Sequence, residues 1–127
     1  MECLIKRKFM ANSIWYKEKP IFRANNSAFL MLYEALAEEM KKSKNENMQL
    51  SSFILSLDQE ALGYGCVTGN IDRYLNNKED YINFAVILNK AIQEICRKNN
   101  FADQDQWLLH FKAFHKNILN IIDAWEK

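Results

Sequence analysis

The sequence predicts an all-α fold: a single compact bundle of about four longer helices plus a short one, with an irregular N-terminal arm. Three observations carry that expectation. A chain of 127 residues has the length of one domain and can bury a core without a disulfide or metal to hold it. One proline and three glycines are too few for a sandwich or barrel, which needs a turn about every 8–12 residues. The apolar residues instead recur at spacings of three and four, the period of a helix face.

The elements follow in order. Residues 1–24 form the arm, where Trp15, Tyr16, Ile21 and Phe22 flank Pro20 without a sustained period; a helical turn fits only near residues 3–10. Residues 25–127 form the helical body. Asn25, Asn26 and Ser27 offer N-cap oxygens, and Phe29, Tyr33, Leu36 and Met40 then make an amphipathic row. That helix runs out in KKSKNEN, whose lysines suit a helix C-terminus. A second helix starts near Ser51 or Ser52, and its row of Leu50, Ile54, Leu57, Ala61 and Tyr64 passes straight through Gly63. Asn70 caps a short helix, IDRYLNN. Asn77 caps the next, roughly 78–98, with Asp80 placing a carboxylate in its first turn. Tyr81, Phe84, Leu88, Ala91, Ile92 and Ile95 make this the most buried helix. Asp103 and Gln106 approximate a capping box for the last helix, striped by Trp107, Phe111, Phe114, Ile118, Ile121 and Trp125.

Charge and cysteine usage narrow the function classes. The formal net charge is only +1, so no global field draws the chain to nucleic acid. Residues 1–23 hold six basic against two acidic groups, a basic arm on a mildly acidic body. Cys3, Cys66 and Cys96 are odd in number and far apart, which argues for reduced thiols and a cytoplasmic protein. Charged residues near the N-terminus are followed by no apolar stretch of secretory-signal length. The apolar runs 28–33 and 84–88 are too short to span a bilayer, so no membrane role is expected.

All three glycines lie in LGYGCVTGN, residues 62–70. The spacing Gly63-x-Gly65-x-x-x-Gly69 is one residue too long for a dinucleotide fingerprint, and a helix rather than a strand precedes it. The cluster reads instead as a helix terminus and tight corner, with positive φ at one glycine or more. No cofactor is expected. His110 and His115 stand five apart, about 140° around a helix, and cannot share a metal as an i, i+4 pair does; no metal is expected. No GxSxG or Cys–His arrangement supplies a nucleophile. The paired carboxylates Glu34 with Glu38, Glu79 with Asp80, and Asp103 with Asp105 read as solvated faces or helix starts. The sequence therefore predicts no enzyme and no small-molecule substrate.

What remains is a binding module. Glu38, Asp58, Asp72, Glu79 and Asp80, with Tyr64 and Tyr74 nearby, fall on the side expected to be exposed, and acidic groups ringing tyrosines suit a basic protein partner. In its size, its asparagine-, lysine- and isoleucine-rich composition and the segment GNIDRYLNNKEDYINFAVILNKAIQEI (residues 69–95), the chain resembles small all-helical bacterial immunity proteins of contact-dependent growth-inhibition systems. The resemblance implies a protein that binds a cognate toxin domain, such as a nuclease, and blocks it sterically. It is one of general character, and no motif transfers a role to a particular residue. Alternatives are an adaptor, an antitoxin, a chaperone-like protein, or a single-strand nucleic-acid binder. The last would use Lys6, Arg7, Lys8, Phe9, Trp15, Tyr16, Lys17 and Lys19 of the arm.

Overall fold

In the computed structural model, which describes residues 12–43, 47–58, 68–100 and 105–125, the second half of the expected arm is a β-hairpin. Strand β1 (Asn12–Tyr16) pairs antiparallel with β2 (Lys19–Ala24), Asn12 opposite Ala24 and Tyr16 opposite Lys19. A third strand, β3 (Thr68–Asn70), pairs parallel with β1, giving the order β2-β1-β3. The fold is therefore mixed α/β, not all-α. The arm is not irregular over residues 12–24, and the body beyond residue 25 is not purely helical.

The hairpin escapes a sequence reading because its turn lacks the expected residues. Lys17 and Glu18 have φ of 47° and 68°, the left-handed pair that a two-residue hairpin loop requires and that Asn-Gly ordinarily supplies. A non-glycine residue there carries backbone strain. Glu18→Gly is accordingly expected to raise stability by about 1 kcal/mol, read as a higher urea midpoint; an unchanged or lower midpoint would show the turn to be unstrained. The strand register shifts between Ile14 and Trp15, so that Ile14 faces Phe22 and Trp15 faces Pro20. Ile21 is thus the extra residue of a bulge, and its carbonyl accepts a 2.9 Å bond from Asn117 Nδ2. That irregularity, and a proline tolerated only because β2 is an edge strand, hides the alternation by which strands are recognised. Ile14 and Phe22 point into the core, while Ser13 and Trp15 share the opposite face, with Trp15 Nε1 donating to Ser13 Oγ at 2.8 Å.

Four α-helices are described: α1 (Asn26–Ser43), α2 (Met48–Leu55), α3 (Lys78–Asn99) and α4 (Gln106–Ala124). Their starts are set by side-chain caps. The N–H of Ala28 donates to Asn25 Oδ1 at 2.9 Å, and that of Asp80 to Asn77 Oδ1 at 2.9 Å. At α4 the cap is Asp105, not Asp103: its carboxylate accepts from the N–H of Trp107 at 2.9 Å. α2 begins earlier than expected, capped by Asn47, and ends at Leu55, well before Gly63. The short helix shrinks to one 3-10 turn, Ile71–Arg73, and Asn70 makes no side-chain cap.

Gly69 is neither a helix end nor a left-handed residue. It lies buried on β3, where a Cβ would come within 3.0 Å of Leu57 Cδ2 and 3.5 Å of Phe53 Cε1. Glycine lets the strand pass close over the end of α2. Gly63 and Gly65 lie outside the described residues.

α3 buries nine residues, against five each in α1 and α4, and packs on α1, α2 and α4. It is the central helix, as its apolar row predicts. The strands join this core through aromatic contact: Phe22 stacks on Phe114 at 4.7 Å between ring centres, Phe114 meets Phe84 at 5.9 Å, and Phe84 meets Phe53 at 5.5 Å.

Candidate functional site

Among the described residues, one face of α1 and the C-terminal end of α3 border a groove of about 620 Å³. α1 contributes Ser27, Leu30, Met31, Glu34, Ala35 and Glu38, and α3 contributes Glu94, Ile95, Lys98 and Asn99. The α1 residues follow the spacing that places side chains on one helix face. Leu30, Met31 and Ala35 are half-buried and Ile95 is buried, so the floor is apolar. Among the described residues the rim carries three carboxylates and the ammonium of Lys98.

Those carboxylates are not equivalent. Glu94 is engaged by the Arg97 guanidinium one turn along α3, whose hydrogen bond holds the Glu94 carboxyl below the usual carboxylate range. On α1, Lys42 pairs with Glu39 at 3.5 Å, not with Glu38. Among the described residues, Glu34 and Glu38 form no ion pair. They stand one helical turn apart, about 6 Å along the axis. Like charges at this spacing destabilise an exposed helix by about 0.2–0.5 kcal/mol. Among the described residues the groove therefore pairs an apolar floor with two carboxylates that no ion pair engages.

The residues singled out from sequence fall at several places in the described structure. Glu38 lies on the groove rim. Tyr74 lines a different hollow of about 370 Å³, with Leu55, Ser56, Thr68, Gly69, Asn70 and Arg73. Asp72, half-buried, shares the 3-10 turn with Arg73, whose exposed cation interrupts the expected acidic field there. Asp58 is half-buried just beyond α2, and Glu79 is exposed in the first turn of α3. Tyr64 lies outside the described residues.

Asp80 needs correction: it is 7% exposed, and its Oδ1 accepts a 2.7 Å bond from Asn47 Nδ2. Asn47 at the same time caps α2 through the N–H of Leu50 at 3.0 Å. The Asp80 carboxylate thus ties the start of α2 to the start of α3, a structural task that sequence spacing does not reveal. Glu34 was visible from sequence as the partner of Glu38. Glu94, Ile95 and Lys98 were not, because which residues of the central helix border a groove depends on the helix packed beside it.

Behind another hollow, lined by Tyr16, Lys17, Ile121, Ala124 and Trp125, sits the fully buried Tyr81. Its ring meets those of Tyr16 at 5.8 Å and Trp125 at 5.3 Å between centres. Among the described residues its hydroxyl has no hydrogen-bond partner. Burial, aided by Tyr16, Asp72 and Asp80, pushes its pKa well above the ordinary tyrosine value. The phenol stays protonated and is no base at neutral pH. In the unfolded chain it titrates near pH 10, so its contribution to stability is intact below about pH 10 and declines as pH rises further. Tyr81→Phe is expected to lose that share of the alkaline decline and to gain about 1 kcal/mol at pH 7 by deleting an unpaired polar group. Urea midpoints of both proteins across pH 7–11 check this; parallel curves would show a solvated hydroxyl.

Among the described residues, no three His, Cys, Asp or Glu side chains gather as metal ligands, and no helix is long and apolar enough to cross a membrane. His110 is exposed and His115 half-buried on α4. Comparison with protein-family models, with curated proteins and with solved structures gave no significant match.

Proposed function

We propose that the protein is a non-catalytic binding module that receives a cationic part of a partner protein in the groove between α1 and α3. The observation that carries this reading is the apolar floor bordered by Glu34 and Glu38, two carboxylates that form no ion pair among the described residues. An apolar centre supplies affinity, and uncompensated charge of one sign selects and steers a partner of the other. In keeping with the resemblance to immunity proteins, the partner is a toxin domain blocked sterically in the cytoplasm.

The basic hairpin supports the nucleic-acid alternative less well. Its Lys17 lies 5.4 Å from the centre of the Tyr16 ring, and Trp15 is half-buried and bonded to Ser13. These aromatics are engaged in the fold rather than presented for base stacking.

Affinity capture of the tagged protein, expressed with its adjacent genes, tests the reading. The expected result is a stoichiometric protein partner whose toxicity is relieved by co-expression. A protein that elutes alone and protects no cell would overturn it.

A further inference from the structure

The groove also restricts what its occupant can be. Among the described residues every lining residue belongs to α1 or α3, and along the floor of Leu30, Met31, Ala35 and Ile95, away from the open helix ends, the backbone donors and acceptors are spent within the helices. An extended strand laid there would press its own unpaired N–H and C=O groups against Leu30, Met31, Ala35 and Ile95 and find no sheet edge among the described lining residues. Burying such groups without partners is costly. A helix satisfies its backbone internally and offers an apolar ridge to fill the floor, the helix-in-groove mode of recognition. The rim adds a register. Glu34 and Glu38 are one turn apart on α1, so cations three or four residues apart on a docked helix match both carboxylates together.

Resting on the binding-module reading, we infer that the groove takes an amphipathic helix of the partner, its apolar ridge seated on Leu30, Met31, Ala35 and Ile95 and two basic side chains one turn apart paired with Glu34 and Glu38. Glu34 and Glu38 are then the specificity-determining residues. Glu94 is satisfied by Arg97 within α3 and contributes less.

The probe is a labelled synthetic helix of about five turns, leucine along one stripe and lysine flanking it, compared with a counterpart carrying glutamate at each lysine. Fluorescence anisotropy against the full-length protein should show saturable binding of the cationic helix and none of the anionic one. The Glu34→Gln, Glu38→Gln double variant should weaken binding about tenfold, which corresponds to about 1.4 kcal/mol. Its urea midpoint should stay unchanged or rise, since a like-charge pair is removed. Added salt should slow association of the wild type more than that of the variant. No binding of the cationic helix, equal binding of both helices, or equal binding by wild type and double variant would each overturn the inference. A natural partner captured equally by wild type and variant would overturn it while leaving the binding-module reading in place.

Discussion

Replacing Phe84 with alanine is expected to cost about 3–5 kcal/mol of folding stability, read as a lower urea midpoint with an unchanged baseline far-UV spectrum in the remaining folded fraction. The magnitude follows from position. Phe84 is fully buried on the central helix and lies edge-on to both Phe53 of α2 and Phe114 of α4. Phe114 in turn stacks on Phe22 of β2, so one ring joins two helices and, through one neighbour, the sheet. Truncation leaves a cavity bordered by rings that cannot collapse into it without leaving their own contacts. Val86, two residues on and half exposed at 50%, is the control: Val86→Ala should change stability by no more than about 0.5 kcal/mol. Equal losses at the two sites would mean that α3 is not packed as described.

The same contrast shows what could be read from the sequence. α3 and α4 were legible because their apolar rows are long, their spacing is helical, and Asn77 announces a start. Tyr81, Phe84, Leu88, Phe111, Phe114 and Ile118 are all buried as that spacing requires. The sheet was not legible because each of its signals is suppressed by a local device. A Lys-Glu turn replaces Asn-Gly, a bulge at Ile21 breaks the alternation of β2, and β3 is three residues long and contains a glycine. Its pairing with β1 crosses more than fifty residues of sequence, and no local pattern encodes that. At the groove, Glu34 and Glu38 could be seen to share a face because the helix period places them there. That their face borders a hollow rather than open solvent depends on where α3 lies, which is a property of packing. Asp80 marks the opposite failure: a carboxylate in a first helical turn usually faces water, and only the neighbouring cap at Asn47 draws it inside.

Asp80→Lys is therefore expected to act on folding and not on docking. The substitution removes the Asp80 acceptor of the Asn47 Nδ2 bond and so cuts the tie between the cap of α2 and the start of α3. It also places an ammonium in a site 7% exposed, at a helix N-terminus where the macrodipole disfavours positive charge. Leaving a buried charge uncompensated typically costs about 3–5 kcal/mol, a large part of the stability of a domain this size. Loss of helical signal, or a steep fall in the urea midpoint, should accompany any loss of partner binding. Asp80→Asn keeps an oxygen for Asn47 and should lose about 1–2 kcal/mol, the range of one charge-assisted hydrogen bond reduced to a neutral one. Asp72→Lys, on the half-buried 3-10 turn, should leave the helical signal intact. The Glu34, Glu38 pair gives the converse result, binding weakened with the fold retained, so the two sets of variants separate a carboxylate that builds the protein from carboxylates that face its partner. An Asp80→Lys protein with a wild-type urea midpoint would place Asp80 at the surface and remove the tie between α2 and α3.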